Sequence, residues 1–266
     1  MRVGSTEPAP LATDTTPDAD WRALVDSASR PYRRAGRFAW HFARGKLSRD
    51  PVFRHLLEHG RIAPGARVVD IGCGQGLLAS LLRTAGAAAA SGAWPAGWAP
   101  APTAASVTGI DLMPKDIARA EDAFAAPPSA NAPTPVFVCG DMRSTPIPPC
   151  DAVVVLDVLH YVTLPEQDGV LERIREALSP HGGRLLLRIG DEGGGLRFTV
   201  SQWVDRLVTS VRGHAVPPTF GRPLAAWQSC LRTLGFVVET LPMHEGTPFA
   251  NILLVGTLPP HRGTAA

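Results

Sequence analysis

Residues 67–84, RVVDIGCGQGLLASLLRT, decide the fold. An apolar strand pattern ends at Ile71, three glycines follow at alternate positions from Gly72 to Gly76, and a helical pattern begins at Leu77. Glycines at a strand-to-helix turn allow a sharp reversal of the chain and let a ligand approach the backbone. The stretch therefore predicts the first strand, loop and helix of a ligand-binding α/β domain.

Strand and helix patterns alternate on the carboxyl side of this loop. Strands are predicted over 67–71, 107–110, 136–139, 152–156, 184–189, 236–241 and 249–258, and helices over 77–84, 115–124, 167–178 and 224–234. Such alternation is typical of a doubly wound parallel sheet covered on both faces, and the short turn before the last strand predicts an antiparallel end.

The rest of the chain is organised around this domain. We expect a disordered leader over 1–20, a helical arm over 21–60, the main domain over 61–258 and a flexible tail over 259–266. Two stretches rich in Ala, Gly and Pro, 87–106 and 125–135, are expected to be flexible surface insertions. Residues 193–223 separate the fifth strand from the next helix and are expected to form a helical lid.

Composition limits the class of protein. The chain has 266 residues, a net charge of +2 and 45% hydrophobic residues, which suits one globular domain. Its four cysteines show no disulfide or metal-site spacing, so no metal is predicted and a reduced, cytoplasmic protein is expected. We find no secretory signal and no apolar run of about 20 residues, so no transmembrane segment is expected.

The glycine loop excludes one common ligand class and favours another. A nicotinamide dinucleotide site requires G-x-G-x-x-G, and the third glycine is replaced by Leu77. Asp70, two residues before the first glycine, suits a ligand that carries an ammonium group. The pattern D-x-G-x-G-x-G resembles the first motif of class I S-adenosylmethionine (SAM)-dependent methyltransferases. That resemblance implies a Rossmann-like sheet of seven strands, six parallel and the last antiparallel, with SAM as cofactor.

The resemblance also assigns residues to the parts of the cofactor. The predicted cofactor-binding residues are Asp70, Gly72, Cys73, Gly74, Gly76, Asp111, Leu112, Asp141, Met142 and Asp157. Asp111 would accept hydrogen bonds from the ribose hydroxyls, for which a carboxylate is suited. Asp141 and Met142 would contact the adenine, and Asp157 would lie beside the methyl donor.

His160 is the first candidate for a general base. It follows the fourth strand at the ligand-binding edge of the sheet, and histidine titrates near neutral pH without adjustment. A base is useful when the acceptor is a hydroxyl, whereas nitrogen or thiolate acceptors need less help. Weaker candidates are His41, His214 and His244, the last accompanied by Glu245. Tyr32 or Tyr161 could orient an acceptor, although a core or surface role is the preferred interpretation for both.

The predicted arm is strongly basic between residues 27 and 49. It contains Arg30, Arg33, Arg34, Arg37, Arg44, Lys46 and Arg49 and no acidic residue. One interpretation is a solvated helix face; the other is a surface for an acidic partner, for which an acyl carrier protein with its phosphopantetheine would be suited. RNA would suit the charge, but no RNA-binding signature is present, so no nucleic acid partner is predicted.

Two further segments narrow the expected acceptor. Residues 46–82 and 245–255 resemble bacterial methyltransferases encoded with aryl-polyene and xanthomonadin-type pigment synthesis, which implies an aryl or polyketide-like acceptor, free or carrier-bound. An O-methyltransferase of quinone-like or other small metabolites stays an alternative, and so does a SAM-binding partner without catalysis. A nucleic-acid amino-methyltransferase is disfavoured, because Asp157-Val158-Leu159-His160 stands where that class has Asn/Asp-Pro-Pro-aromatic.

Overall fold

The structure is a computed structural model and describes residues 17–104, 106–126, 133–178, 182–190, 219–243 and 251–260. The predicted lid therefore lies almost entirely outside the described residues. His214, His244 and Glu245 also lie outside them, so the structure does not test their suggested roles.

The described elements follow the predicted order. The helices are α1 (Pro17–Ser29), α2 (Arg37–Arg49), α3 (Pro51–Glu58), α4 (Leu77–Ala90), α5 (Pro114–Phe124), α6 (Leu164–Leu178) and α7 (Leu224–Thr233), with 3-10 turns at Arg30–Arg33 and Leu159–Tyr161. The strands are β1 (Arg67–Ile71), β2 (Ser106–Asp111), β3 (Val136–Cys139), β4 (Ala152–Leu156), β5 (Gly183–Gly190), β6 (Val237–Pro242) and β7 (Asn251–Leu258).

The strands form one sheet in the order β3-β2-β1-β4-β5-β7-β6. Strand β7 runs antiparallel to both of its neighbours, β5 and β6, and the remaining pairs are parallel. The predicted seven-stranded, doubly wound sheet is confirmed. The carboxyl ends of β1, β2 and β4 meet at one edge, which is where ligands bind in open sheets of this kind.

Both faces of the sheet are buried by helices. Val68 and Val154 point to a core shared with α1 to α4, whereas Val69 and Val155 point to a core shared with α6 and α7. Successive strand residues alternate between the faces because the side-chain period of a strand is two. Because both faces are buried, the central strands are continuous apolar runs in the sequence.

The arm packs on the sheet-covering helix α4 and on the glycine loop. The Ser80 hydroxyl donates to the Ala28 carbonyl at 2.7 Å, and the buried Gln75 amide donates to the Ala39 carbonyl at 3.0 Å. The Asp50 carboxylate accepts from the Val52 N–H and caps α3, as the Asp-Pro pair predicts. Helix α1 begins at Pro17, so the predicted boundary of the leader at residue 20 is too late.

The first predicted insertion is partly regular and packed, which corrects the expectation of a flexible stretch. Helix α4 continues through Gly86 to Ala90, beyond its expected end. Trp98 lies against Trp94 and Trp21, with ring centroids 5.5 and 6.3 Å apart, and both Trp94 and Trp98 pack on the core. The composition of residues 87–106 gives little indication of this packing, because Trp94 and Trp98 are its only bulky side chains. Across the described ranges no helix is long and apolar enough to cross a membrane.

Candidate functional site

The three glycines of the loop have different functions. Gly72, Gly74 and Gly76 have φ values of +77°, +53° and +75°, a region that favours glycine. A Cβ at Gly72 would overlap Val158, and one at Gly76 would lie 2.7 Å from the Phe137 ring. A Cβ at Gly74 would meet nothing within 4 Å. Gly72 and Gly76 are therefore required by packing, whereas the open space at Gly74 is suited to a ligand.

The carboxylates at the ends of β1 and β2 lie on either side of this loop. The Asp111 carboxylate accepts from the Gly74 N–H and from the Met113 N–H, both at 2.8 Å. Asp70 is 5% exposed. Its burial, and secondly the charge of Asp111, raise the pKa of the Asp70 carboxyl to about 7. Two nearby carboxylates attract cationic and hydroxyl-bearing ligand groups. Their contact with the cofactor stays a prediction.

The predicted residues Cys73 and Leu112 are oriented in opposite ways. The Cys73 side chain is buried beneath the loop, where a Cβ at Gly109 would lie 2.8 Å from its sulfur, so only its backbone is available to a ligand. Leu112 is 60% exposed directly after Asp111. An exposed large apolar side chain at the ligand edge offers a surface for a flat, apolar group.

The predicted adenine contact Asp141 has a partner that the sequence did not suggest. Its carboxylate accepts from the Arg143 guanidinium at 2.6–3.0 Å, and Arg143 also donates to Glu166 at 2.8 Å. These hydrogen bonds, with Arg143 as the main cause, lower the pKa of Asp141. The carbonyl of Met142 accepts from Arg173 at 2.8 Å. Asp141, Arg143, Glu166 and Arg173 line a cavity next to α6. The contact of Asp141 and Met142 with adenine stays a prediction.

Asp157 lies at the end of β4 in an unusual conformation. Its φ of +59° is the only positive value among the described non-glycine residues. Its carboxylate pairs with Arg188, which is 2% exposed and also pairs with Asp50. Sequence reasoning missed Arg188 and Asp50 as site residues. The available signal was a single arginine inside the apolar strand LLLRI.

His160 lies three residues beyond Asp157, in the 3-10 turn after β4. Burial lowers the pKa of His160, and the Asp157 carboxylate opposes that effect. A neutral imidazole is the form that accepts a proton. The ring of Tyr161 lies 4.2 Å from the His160 ring, centroid to centroid. The structure therefore places the candidate base beside the site carboxylate at the ligand edge.

Hydrogen bonds hold the first residues of the described range 219–243 close to His160. The Phe220 N–H donates to the His160 carbonyl at 2.8 Å, and the fully buried Gln167 donates to the Phe220 carbonyl at 2.7 Å. Arg222 donates to the Gln167 amide oxygen at 2.9 Å. Local sequence gave no signal for these contacts, because the partners are more than fifty positions apart.

Two of the weaker candidates, Tyr32 and His41, do not join this group. Tyr32 is fully buried in the core beneath the arm, and burial is the main reason that its pKa is raised. His41 is exposed and lies beside Trp40, with ring centroids 4.6 Å apart. In the described part of the chain, no group of three or more His, Cys, Asp or Glu side chains is arranged to hold a metal ion.

Comparison with known proteins agrees with this geometry. A methyltransferase domain family matches residues 69–185, which is less than half of the chain and includes the glycine loop, Asp111, Asp157 and His160. The tetracenomycin polyketide synthesis 8-O-methyl transferase of Streptomyces glaucescens is 30% identical over 84 residues. That segment is 31% of this chain and spans only 25% of the curated relative.

Solved structures share the fold at low sequence identity. Magnesium protoporphyrin IX methyltransferase from Synechocystis, crystallised with SAH, is 20% identical with a TM-score of 0.55, over 90% of this chain and 97% of that one. An O-methyltransferase family protein from Burkholderia thailandensis has 18% identity and a TM-score of 0.58, over 86% and 62%. Human N-acetylserotonin methyltransferase, crystallised with SAM, has 16% identity and a TM-score of 0.55, over 89% and 58%. Residues 69–185 are thus similar to a methyltransferase domain family, and the chain shares its fold with solved methyltransferase structures.

Proposed function

We propose that this protein transfers the methyl group of SAM to a small-molecule or carrier-bound aryl or polyketide-like acceptor. The observation that carries the proposal is the glycine loop: a Cβ at Gly74 would meet nothing within 4 Å, and the Gly74 N–H donates to Asp111, whose charge also acts on Asp70. SAM supplies a methyl group already activated on a sulfonium. The protein then needs to bind SAM, orient the acceptor and remove a proton where the acceptor requires it.

The residues at the loop fit SAM by charge and shape. Asp111 would accept hydrogen bonds from the ribose hydroxyls. Its carboxylate accepts the N–H groups of Gly74 and Met113 at 2.8 Å and has further lone pairs for ligand donors. Asp70, when ionised, favours the positive charge of SAM. Gly72, Cys73 and Gly76 would offer backbone rather than side-chain contacts.

His160 supports a hydroxyl acceptor. In the proposed step the imidazole takes the hydroxyl proton while the oxygen forms a bond to the methyl carbon, and the sulfonium becomes a neutral thioether. Burial lowers the pKa of His160 and so favours the neutral imidazole, and the nearby Asp157 carboxylate would stabilise the imidazolium that forms. The partial similarity to a polyketide O-methyl transferase supports an aryl or polyketide-like acceptor. A quinone-like metabolite would satisfy the same requirements.

The exposed basic face of the arm supports a carrier-bound acceptor. Arg30, Arg34, Arg37 and Arg49 are exposed and have no carboxylate partner among the described residues. Arg44 pairs with Asp26 at 3.1 Å, Lys46 pairs with Asp50, and Arg33 lies over the Trp40 ring. Because α2 contacts the glycine loop through Gln75, an acidic carrier protein on this face would place its phosphopantetheine near the site.

The first experiment is calorimetric titration of the protein with SAM and, separately, with NAD. Micromolar binding of SAM and no binding of NAD is the expected result. Formation of S-adenosylhomocysteine would then be followed with hydroxylated aryl and polyketide-like acceptors, free and attached to an acyl carrier protein. No SAM binding would refute the proposal, and binding without turnover on any acceptor would favour a non-catalytic partner.

A charge-reversal variant tests the carrier surface. Arg34→Glu with Arg37→Glu should weaken binding of a phosphopantetheinylated acyl carrier protein at least tenfold at low salt, since opposite charges steer association. Arg232→Glu is the control, because Arg232 is exposed on α7. Equal affinity of the two variants would mean that the basic face is a solvated helix surface.

A further inference from the structure

Asp157 occupies a backbone conformation that its neighbours must hold in place. A φ of +59° is uncommon for a residue with a Cβ, although aspartate tolerates it better than most. Such conformations persist where surrounding contacts fix them, and they cluster at functional sites. The turn at Asp157 ends β4 and leads into Val158 and His160.

One buried guanidinium fixes this turn. Arg188 Nε donates to Asp157 Oδ1 at 2.8 Å, Nη2 bonds Asp157 Oδ2, and the Asp157 N–H donates to the Arg188 carbonyl at 3.4 Å. The side chain of Arg188 is 1% exposed. Two bonds between a planar guanidinium and a carboxylate define an orientation as well as a distance.

The same guanidinium is held from the other side by the arm. Asp50, at the start of α3, accepts from Arg188 Nη2 at 2.7 Å and from Nη1. Burial would raise the pKa of Asp50, but Arg188 outweighs it and holds that pKa well below its usual range. Lys46 lies 2.8 Å from Asp50 and 3.8 Å from Asp157. Two cations and two carboxylates therefore join the arm to the ends of β4 and β5.

The turn at Asp157 sets the position of two parts of the site, the residue that covers the glycine loop and the candidate base. Val158 packs directly over the first glycine of the loop, where a Cβ at Gly72 would overlap it. His160 follows two residues later, and its imidazole is close enough to Asp157 for that charge to raise its pKa. A displacement of Asp157 would therefore move the residue that covers the glycine loop and the candidate base together.

We infer that Asp50, Lys46 and Arg188 are positioning residues, through which the N-terminal arm fixes Asp157, Val158 and His160 at the methyl-transfer site. Arg188 and Asp50 are too buried to touch an acceptor, so they act through Asp157. The arm therefore helps to position residues of the site and does not only pack over them. The effect on turnover rests on the proposed function, whereas the effect on the conformation of the turn does not.

The test compares two arm variants by NMR of the full chain without ligand. Asp50→Asn keeps an oxygen to cap α3 but removes the charge that holds Arg188. The amide resonances of residues 157–160 and Gly72 should shift, and the His160 titration midpoint should fall by roughly half a pH unit, since one negative charge is lost near Asp157. Lys46→Gln should move that midpoint upward, because a positive charge is lost.

Glu239→Gln provides the matched control. Glu239 forms another two-bond pair with an arginine, Arg61, at 2.7 and 3.1 Å, and joins the residue that follows the arm to β6. This control should leave the resonances of residues 157–160 and His160 unchanged. Turnover should fall about tenfold in Asp50→Asn at saturating SAM while SAM affinity changes less, as expected for a positioning residue.

The outcomes separate the inference from the proposed function. If Asp50→Asn shifts the turn no more than Glu239→Gln does, the inference is wrong even if the wild-type protein methylates an acceptor. If the Asp50 variant does not fold, Lys46→Gln decides, because Lys46 is 39% exposed and its replacement removes the positive charge that faces both Asp50 and Asp157. An unchanged turn and midpoint in that variant would overturn the inference. Absence of SAM binding by the wild type would refute only the proposed function.

Discussion

The backbone N–H of Gly74 donates to the Asp111 carboxylate across 2.8 Å, which joins the middle of the glycine loop to the end of β2. The two residues are 37 positions apart in sequence and lie on neighbouring strands of the sheet. Any ligand that bonds to Asp111 therefore passes within contact distance of Gly74. The first prediction tests this arrangement.

Gly74→Val should abolish SAM binding while the protein stays folded. The new side chain would enter the open space at Gly74, and the left-handed backbone would cost about 1–2 kcal/mol. Gly76→Val is the contrasting variant, since its Cβ would strike the Phe137 ring and should lower stability much more. Calorimetry and thermal unfolding would measure the two effects. Unchanged SAM affinity in Gly74→Val would mean that the loop is not the cofactor site.

The affinity for SAM should rise as the pH increases from about 6 to 8. The pKa of Asp70 is about 7 in the folded protein, so its carboxyl loses its proton over this range and gains the charge that favours a cation. Asp70→Asn should bind more weakly at pH 8 and lose this pH dependence. Calorimetric titration at several pH values gives the measurement. An identical pH profile in wild type and Asp70→Asn would remove Asp70 from the cofactor site.

The same carboxyl should make the ligand-free protein less stable at higher pH. Its pKa is raised in the folded state above the ordinary value of 3.8, so the folded state holds the proton more tightly than the unfolded state. This contribution is fully present below pH 4, is lost as pH rises toward 7, and changes little above that. Asp70→Asn should therefore unfold at higher temperature than wild type at pH 8. A lower unfolding temperature would contradict the assigned direction.

His160→Ala should slow turnover about 100-fold or more while SAM affinity changes less than about threefold. The imidazole accepts the proton of the acceptor in the proposed step and has no assigned contact with SAM. Rates measured against pH should also lose the limb that reports the histidine in the wild type. If the variant and the wild type have equal activity, His160 is not the base, and an acceptor that needs no proton removal is favoured.

Trp98→Ala should destabilise the fold, although it lies in a stretch whose composition suggests a flexible insertion. Trp98 contacts Trp21 and Trp94, and Arg54 lies 5.9 Å from its ring. Removing these contacts should cost about 2 kcal/mol and lower Tm by roughly 4–8 °C. Ala96→Gly, at an exposed neighbouring position, is the control. Equal Tm values for the two variants would mean that residues 87–106 are a flexible insertion, as the composition suggests.

The sequence alone determined the elements of the fold and the centre of the site. Strand, loop and helix between residues 67 and 84 are specified by neighbours in the chain, because apolar periodicity and glycine positions act over a few residues. Asp111 was predictable for the same reason, since it follows a recognisable strand. The order of the sheet then places both at one edge.

Only the tertiary structure decided which distant side chains meet. Arg188 and Asp50 are 138 positions apart, and their pairing depends on how the arm lies over the ends of β4 and β5. The hydrogen bond from Arg143 to Glu166, which are 23 positions apart, and the packing of Trp98 on Trp21 likewise lie outside any local pattern. Periodicity reports which face of an element is buried, whereas a buried ion pair depends on the packing of whole elements against each other.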